Sequence, residues 1–260
     1  MLKNMNSYRS QYINNGFVVI KNIIPQKKIV NLKRTFDLLA KKFLGLQYLN
    51  NNKKFLNNYI YMRKNNPKLC SYLYDSLTTS FALQNLIFDK SIQLHIKNVL
   101  KVKSENLSHF FRCLRIDTPQ ENPNELGWHQ DVQDDSHGPI DQIDGLTLWA
   151  PITIANLNQG SMEMCLSSHF KKINSIKFSK KNKFQSKYIN IPNKFSKNYD
   201  KIIVNSNPGD CVLMNMNTLH RSVTSSNPKA ELRLTVIARF FKFSSKNFLP
   251  GSQRFVPSKS

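Results

Sequence analysis

The sequence predicts an α+β fold with a mainly β core, in which a helical N-terminal part of about residues 1–105 precedes a β-rich part of about 106–243. Two observations carry this. Apolar residues after Pro25 recur at spacings of three and four, as one face of a helix requires. From about residue 108 the texture changes to short segments rich in β-branched and aromatic residues, separated by Gly, Pro, Asn and Asp. With no internal repeat and no Gly-rich linker, the 260 residues are expected to form a single domain built around a β-sandwich or barrel.

In chain order, YINNGFVVI at 12–20 reads as a turn entering a short buried strand, so that the chain begins with a strand and then a helix. The helix follows Pro25 and presents Ile29, Leu32, Phe36, Leu39 and Phe43 on one face. Residues 50–100 read as further helices, with Leu83, Leu86, Ile87, Ile92, Leu94, Ile96 and Leu100 as apolar positions. The segments HFFRCLRI, GLTLWAPITI, GSMEMCL, CVLMNM and LRLTVIARFF read as strands. Residues 171–203 carry ten lysines against one acid, Asp200, with weak periodicity. A stretch that long in a compact domain reads as a lid over a site or as a partly disordered, solvated loop, and the lid is the reading carried forward.

Composition narrows the function classes. No apolar run reaches the roughly 18 residues of a membrane span, and the N-terminus lacks a secretory signal, so a cytoplasmic protein is expected. The four cysteines are scattered and read as reduced core residues. A formal charge of +22 suits a polyanionic partner. The excess is mostly Lys mixed with Asn throughout the chain, which points to a compositional bias instead, and no nucleic-acid or membrane partner is expected.

Against that basic background stands GWHQDVQDD at 127–135. Side chains two apart on a strand share a face, so His129 and Asp131 can reach one ion while Gln130 points elsewhere. A second histidine, His220, falls where the CVLMNM strand ends. Two histidines and one carboxylate can occupy one face of Fe(II), leaving positions for a 2-oxo acid and O2. Arg233, on a following strand expected to pair with that of His220, has a guanidinium suited to the distal carboxylate of the co-substrate. The further acids Asp134, Asp135, Asp141 and Asp144 exceed the needs of one ion and read as a solvated loop. His137 is a loop residue or a substrate contact, and His95, His109 and His169 read as structural.

These motifs together resemble the phytanoyl-CoA dioxygenase family of Fe(II)/2-oxoglutarate-dependent oxygenases. The resemblance runs through GFVVI, WHQD, LTLWAPITIANLNQGSMEMCLSSH and PGDCVLMNMNTLHRSVTSSNPKAELRLTV. It implies a double-stranded β-helix (a cupin-like jelly roll) with the N-terminal helices packed outside. It implies His129, Asp131 and His220 as iron ligands, Arg233 and Ser222 as contacts to 2-oxoglutarate, and Gln130 and Trp149 as pocket-lining residues. The implied activity is hydroxylation of a C–H bond in a small metabolite, a biosynthetic intermediate or a sugar derivative, with release of succinate and CO2; the lysines of 171–203 would suit an anionic one. Two departures stand out. The family's Pro-Gly-Ser-His turn is Leu166-Ser167-Ser168-His169 here, and the step from His220 to Arg233 is longer than usual, making Arg239 a second candidate for the anion. The competing reading is a non-catalytic basic β-sandwich that binds nucleic acid or a polyanionic glycan; it leaves the ordered His, Asp, His and Arg unexplained.

Overall fold

The computed structural model describes residues 2–119, 125–131, 144–173, 177–179, 188–225 and 227–245. Six helices come first: α1 (Leu2–Asn15), α2 (Gln26–Leu44), α3 (Asn52–Asn65), α4 (Pro67–Thr79), α5 (Phe81–Ile87) and α6 (Lys90–Leu100). Short polar side chains cap three of them, Asn51 on Lys54 N, Ser80 on Leu83 N and Asp89 on Ser91 N, each accepting from an amide that the first turn leaves unpaired. The helix after Pro25 buries Ile29, Leu32, Phe36, Ala40 and Leu44. Its last turn drifts one residue past Leu39 and Phe43, which are only partly buried.

The chain opens with a helix and not with a strand, correcting the reading of its start. Asn14, Asn15 and Gly16 look like a free turn, but Gly16 ends α1 by donating to Tyr12 O (3.0 Å) in a left-handed conformation (φ 87°). A Cβ at Gly16 would lie 2.6 Å from His169 Nδ1 and 2.7 Å from Thr218 Oγ1, so glycine is required both by conformation and by space.

The strands are β1 (Phe17–Ile20), β2 (Leu107–Asp117), β3 (Gly145–Pro151), β4 (Ser161–Cys165), β5 (Lys177–Ser179), β6 (Tyr188–Asn190), β7 (Lys201–Ile203), β8 (Cys211–Asn215), β9 (His220–Val223) and β10 (Arg233–Lys242). Five form an antiparallel sheet in the order β1-β8-β3-β10-β2, three form a second sheet β7-β4-β9, and β5 pairs with β6. Alternation assigns the faces of the large sheet. Ile20, Leu148, Leu213, Val236 and Phe240 pack on the helices with Ile29, Leu32, Phe36 and Leu83. On the opposite face Phe17, Trp149, Val212 and Met214 meet Met162 and Met164 of the small sheet. Each large apolar side chain buried this way contributes about 1.5–3 kcal/mol. The site lies between the sheets.

All four cysteines are free and buried. Among the described residues, no helix is long and apolar enough to cross a membrane.

Candidate metal centre

His129 and His220 are brought together by backbone pairing. His129 N donates to His220 O (2.9 Å) and His220 N to His129 O (3.0 Å), extending the small sheet by one bridge. His220 therefore opens a strand of its own in the small sheet and does not close the preceding one. Asp131 starts a short turn two residues on. One ligand atom from each of His129, Asp131 and His220 lies within 4.8 Å of the others.

The imidazoles are oriented before any ion arrives. Nδ1 of His129 is 2.8 Å from Gly127 O, and Nδ1 of His220 is 2.8 Å from Thr218 O. A carbonyl partner fixes the proton on Nδ1 and turns the Nε2 lone pair toward the cluster. Burial, with the neighbouring His220, pushes His129 down to about 3, and burial also lowers His220 against the pull of Asp131. Both rings are neutral donors at physiological pH. Burial alone would raise the Asp131 carboxyl, but Arg239, the two histidines and the Thr147 hydroxyl outweigh it and hold the group well below the usual carboxylate range. Two neutral imidazoles and a carboxylate form the donor set of non-heme Fe(II).

Arg233 lies on β10, which pairs with β2 and β3 and not with the strand of His220, contrary to expectation; it belongs to the large sheet, while His220 opens a strand of the small one. Its Nη2 donates to Asp117 Oδ2 (2.9 Å), while Arg115 Nη2 donates to Asp117 Oδ1 (3.0 Å). Burial alone would raise Asp117, yet the two guanidiniums bring it down to about 2. Arg233 Nη1 and, two residues on, Thr235 Oγ1 are buried and, among the described residues, have no hydrogen-bond partner. An unpaired buried cationic donor is costly unless an anion meets it, so the residues fit a carboxylate-bearing co-substrate. Among the described residues, the guanidiniums of Arg115 and Arg233 meet the carboxylate of Asp117, and that of Arg239 meets Asp131.

The other expected residues fall as follows. Ser222 Oγ accepts from Leu126 N (3.3 Å) beside the metal turn. Trp149 is buried in the apolar cluster between the sheets. Gln130 is held by main chain: its Nε2 donates to Lys171 O (2.7 Å) and Asn217 O (2.5 Å), and its Oε1 accepts from Ile173 N (2.9 Å). That amide ties the metal turn to residues 171–173 and to the loop before His220. Arg239 is paired with Asp131 at 2.8 Å. His169, with Nε2 on Ile13 O (2.9 Å), is a buried structural residue as expected. Ser167 takes the place of the family's glycine in a left-handed conformation (φ 58°), its Oγ donating to Asn14 O (2.8 Å). Asp134, Asp135, His137 and Asp141 lie outside the described residues.

Sequence reasoning missed Arg115, Asp117 and Thr147. The first two alternate with Leu114 and Ile116 in RCLRID, a pattern identical to a solvated strand face.

Solved structures that share this fold include non-heme iron enzymes. The epimerase SnoN, in complex with Fe3+, alpha ketoglutarate and nogalamycin RO, aligns over 100% of this chain and 93% of its own at 12% identity and a TM-score of 0.64. The non-heme monooxygenase ThoJ aligns over 92% and 79% at 14% identity and 0.63. EvdO2 from Micromonospora carbonacea var. aurantiaca, complexed with 2-oxoglutarate, aligns over 95% and 94% at 12% identity and 0.60. No curated protein sequence matches the chain. At these identities the likeness shows the shared fold; the class, an enzyme of the iron- and 2-oxoglutarate-dependent oxygenase type, comes with the family. The phytanoyl-CoA dioxygenase family model matches residues 12–231, and the chain belongs to that family. The match ends before Arg233 and Arg239, so their roles rest on geometry.

Proposed function

We infer that the protein hydroxylates a C–H bond of a small, anionic metabolite, coupling this to decarboxylation of 2-oxoglutarate to succinate and CO2. The observation that carries the reading is the cluster of His129, Asp131 and His220 together with Nη1 of Arg233, buried and, among the described residues, without a partner. Fe(II) bound by the three residues supplies the activation of O2. The chain's residues do the rest. His129 and His220 offer Nε2 without having to lose a proton, and Asp131 offers a carboxylate already ionised. Arg233 and Ser222 orient the distal carboxylate of the co-substrate. Trp149, Met162 and Met164 wall the interior with apolar surface and exclude water.

Known structures of this fold include an epimerase and a carbocyclase, each named alpha ketoglutarate dependent, so the same machinery supports outcomes beyond hydroxylation. Retention of Asp131, where halogenating relatives leave the position open to halide, favours oxygen transfer here. The described elements read as one oxygenase domain with a double-stranded β-helix core. Within it, segment 171–203 reads as a lid whose described residues Lys171 and Ile191 are fastened to the metal turn, Lys171 O by Gln130 Nε2 and Ile191 N on Trp128 O (2.6 Å).

Changing His129, Asp131 or His220 to Ala is expected to abolish Fe(II)-dependent succinate release, and with it the visible charge-transfer band of the anaerobic Fe(II)/2-oxoglutarate mixture. Wild-type Fe(II) affinity in all three variants would sink the assignment.

A further inference from the structure

Both oxygens of Asp131 are already held by this chain. Thr147 Oγ1 donates to Oδ2 (2.6 Å), and Arg239 Nη2 donates to Oδ1 (2.8 Å). Oδ1 is also the oxygen that faces His129, 4.0 Å from Nε2. With the carbonyls of Gly127 and Thr218 on the two Nδ1 atoms, the histidines offer Nε2, and Oδ1, 4.0 Å from His129 Nε2, is the carboxylate oxygen turned to them. The guanidinium therefore sits on the oxygen placed to meet a metal beside His129. Arg239 is buried on β10, between β2 and β3, on the face that carries Arg233. It cannot turn out to solvent without opening the large sheet.

A fixed positive charge on a coordinating oxygen has two effects. It draws electron density from that donor, and it repels the bound ion in proportion to the ion's charge. A ferric ion suffers one unit more of this repulsion than a ferrous ion.

We propose that Arg239 is a positioning residue that sets the redox preference of the centre, holding bound iron in the ferrous state through Oδ1 of Asp131. The change is a one-electron couple, Fe(III) plus one electron giving Fe(II), with Asp131 a carboxylate in both states and no proton transferred. The inference rests on the ligand assignment above.

Spectroelectrochemical titration of the iron-loaded full-length protein without 2-oxoglutarate tests it. Arg239→Met is expected to favour Fe(III) over Fe(II) by at least about tenfold, a fall in potential of about 59 mV for a one-electron couple. Affinity for redox-inert Mn(II) should be unchanged or tighter, since a repulsive charge has gone. Arg239→Lys, which keeps the charge but not the fork, should recover most of the wild-type potential. Thr147→Val, which removes a neutral contact to the other oxygen, should leave the potential close to wild type. An unchanged potential in Arg239→Met, an equal shift in Thr147→Val, or no recovery in Arg239→Lys overturns the inference. So does loss of Mn(II) binding or of folding in Arg239→Met while Arg239→Lys behaves as that variant does, because Arg239 would then build the site and not poise it. Failure of the wild-type protein to bind iron at all would instead overturn the ligand assignment.

Discussion

At the scale of single residues, orientation is set by pairing with backbone and with opposite charge. Asp117 takes an arginine on each oxygen, and Nη1 of Arg233 has no partner among the described residues. Arg233→Met is therefore expected to raise KM for 2-oxoglutarate by about 10- to 100-fold, the loss of a charge-assisted bond of about 1.5–3 kcal/mol, while Mn(II) affinity stays constant. An unchanged KM would pass the role to Arg239. Gly16 is the other critical residue. Gly16→Ala forces a left-handed alanine, at about 1–2 kcal/mol, and a Cβ contact of 2.6 Å on His169. Destabilisation of at least about 2 kcal/mol is expected by urea denaturation, and a variant as stable as wild type would show that the junction relaxes freely.

Among elements, the β strands whose apolar residues alternate were readable because period two is unambiguous over five or more residues, as in LRLTVIARFF. The helix after Pro25 was readable for the same reason at period 3.6. Helix α1 was not: its sequence has no acid in the first turn and no basic residue in the last, and its Asn-Asn-Gly end mimics an isolated turn. The segment 171–203 yields a prediction at this scale. Lys171, Lys172, Lys194 and Lys197 are exposed, with Lys171 and Ile191 fastened to the metal turn through their main chain. Changing all four to Gln is expected to raise KM for an anionic substrate several-fold at low salt. The difference should fade near 0.5 M salt, where screening shortens to a few ångström, and substrate-free turnover of 2-oxoglutarate should hold steady. A salt-independent KM in the wild type would reduce the segment to a solvated loop.

For the whole molecule, the grouping of His129, Asp131 and His220 was legible because its chemistry survives in one dimension: three ligands of two types, in the order His, Asp, His, against an apolar pattern. The arginine and aspartate partners were not, since a charged face buried between two sheets reads in sequence as a wet one. Burying that charge makes stability depend on pH. Asp117 titrates near 3.9 when unfolded and about 2 when folded, so its contribution is complete above pH 4 and is lost as pH falls toward 2. Wild type should exceed Asp117→Asn by a pH-dependent margin of about 2 kcal/mol at neutrality that closes across that window. A margin that does not vary with pH would leave Asp117 a neutral hydrogen-bonding role only.

The order of strands in the large sheet has a consequence for how the molecule is made. β10 is the last described strand to be synthesised, and it lies between β3 and β2, not at an edge. Until residue 242 has left the ribosome, β2 and β3 each carry a row of unpaired amides and carbonyls facing a gap one strand wide, and nascent chains can join there edge to edge. The same strand brings Arg233 and Arg239. Closure of the sheet and completion of the charged interior are one late event, after which the gap that invites a neighbouring chain no longer exists.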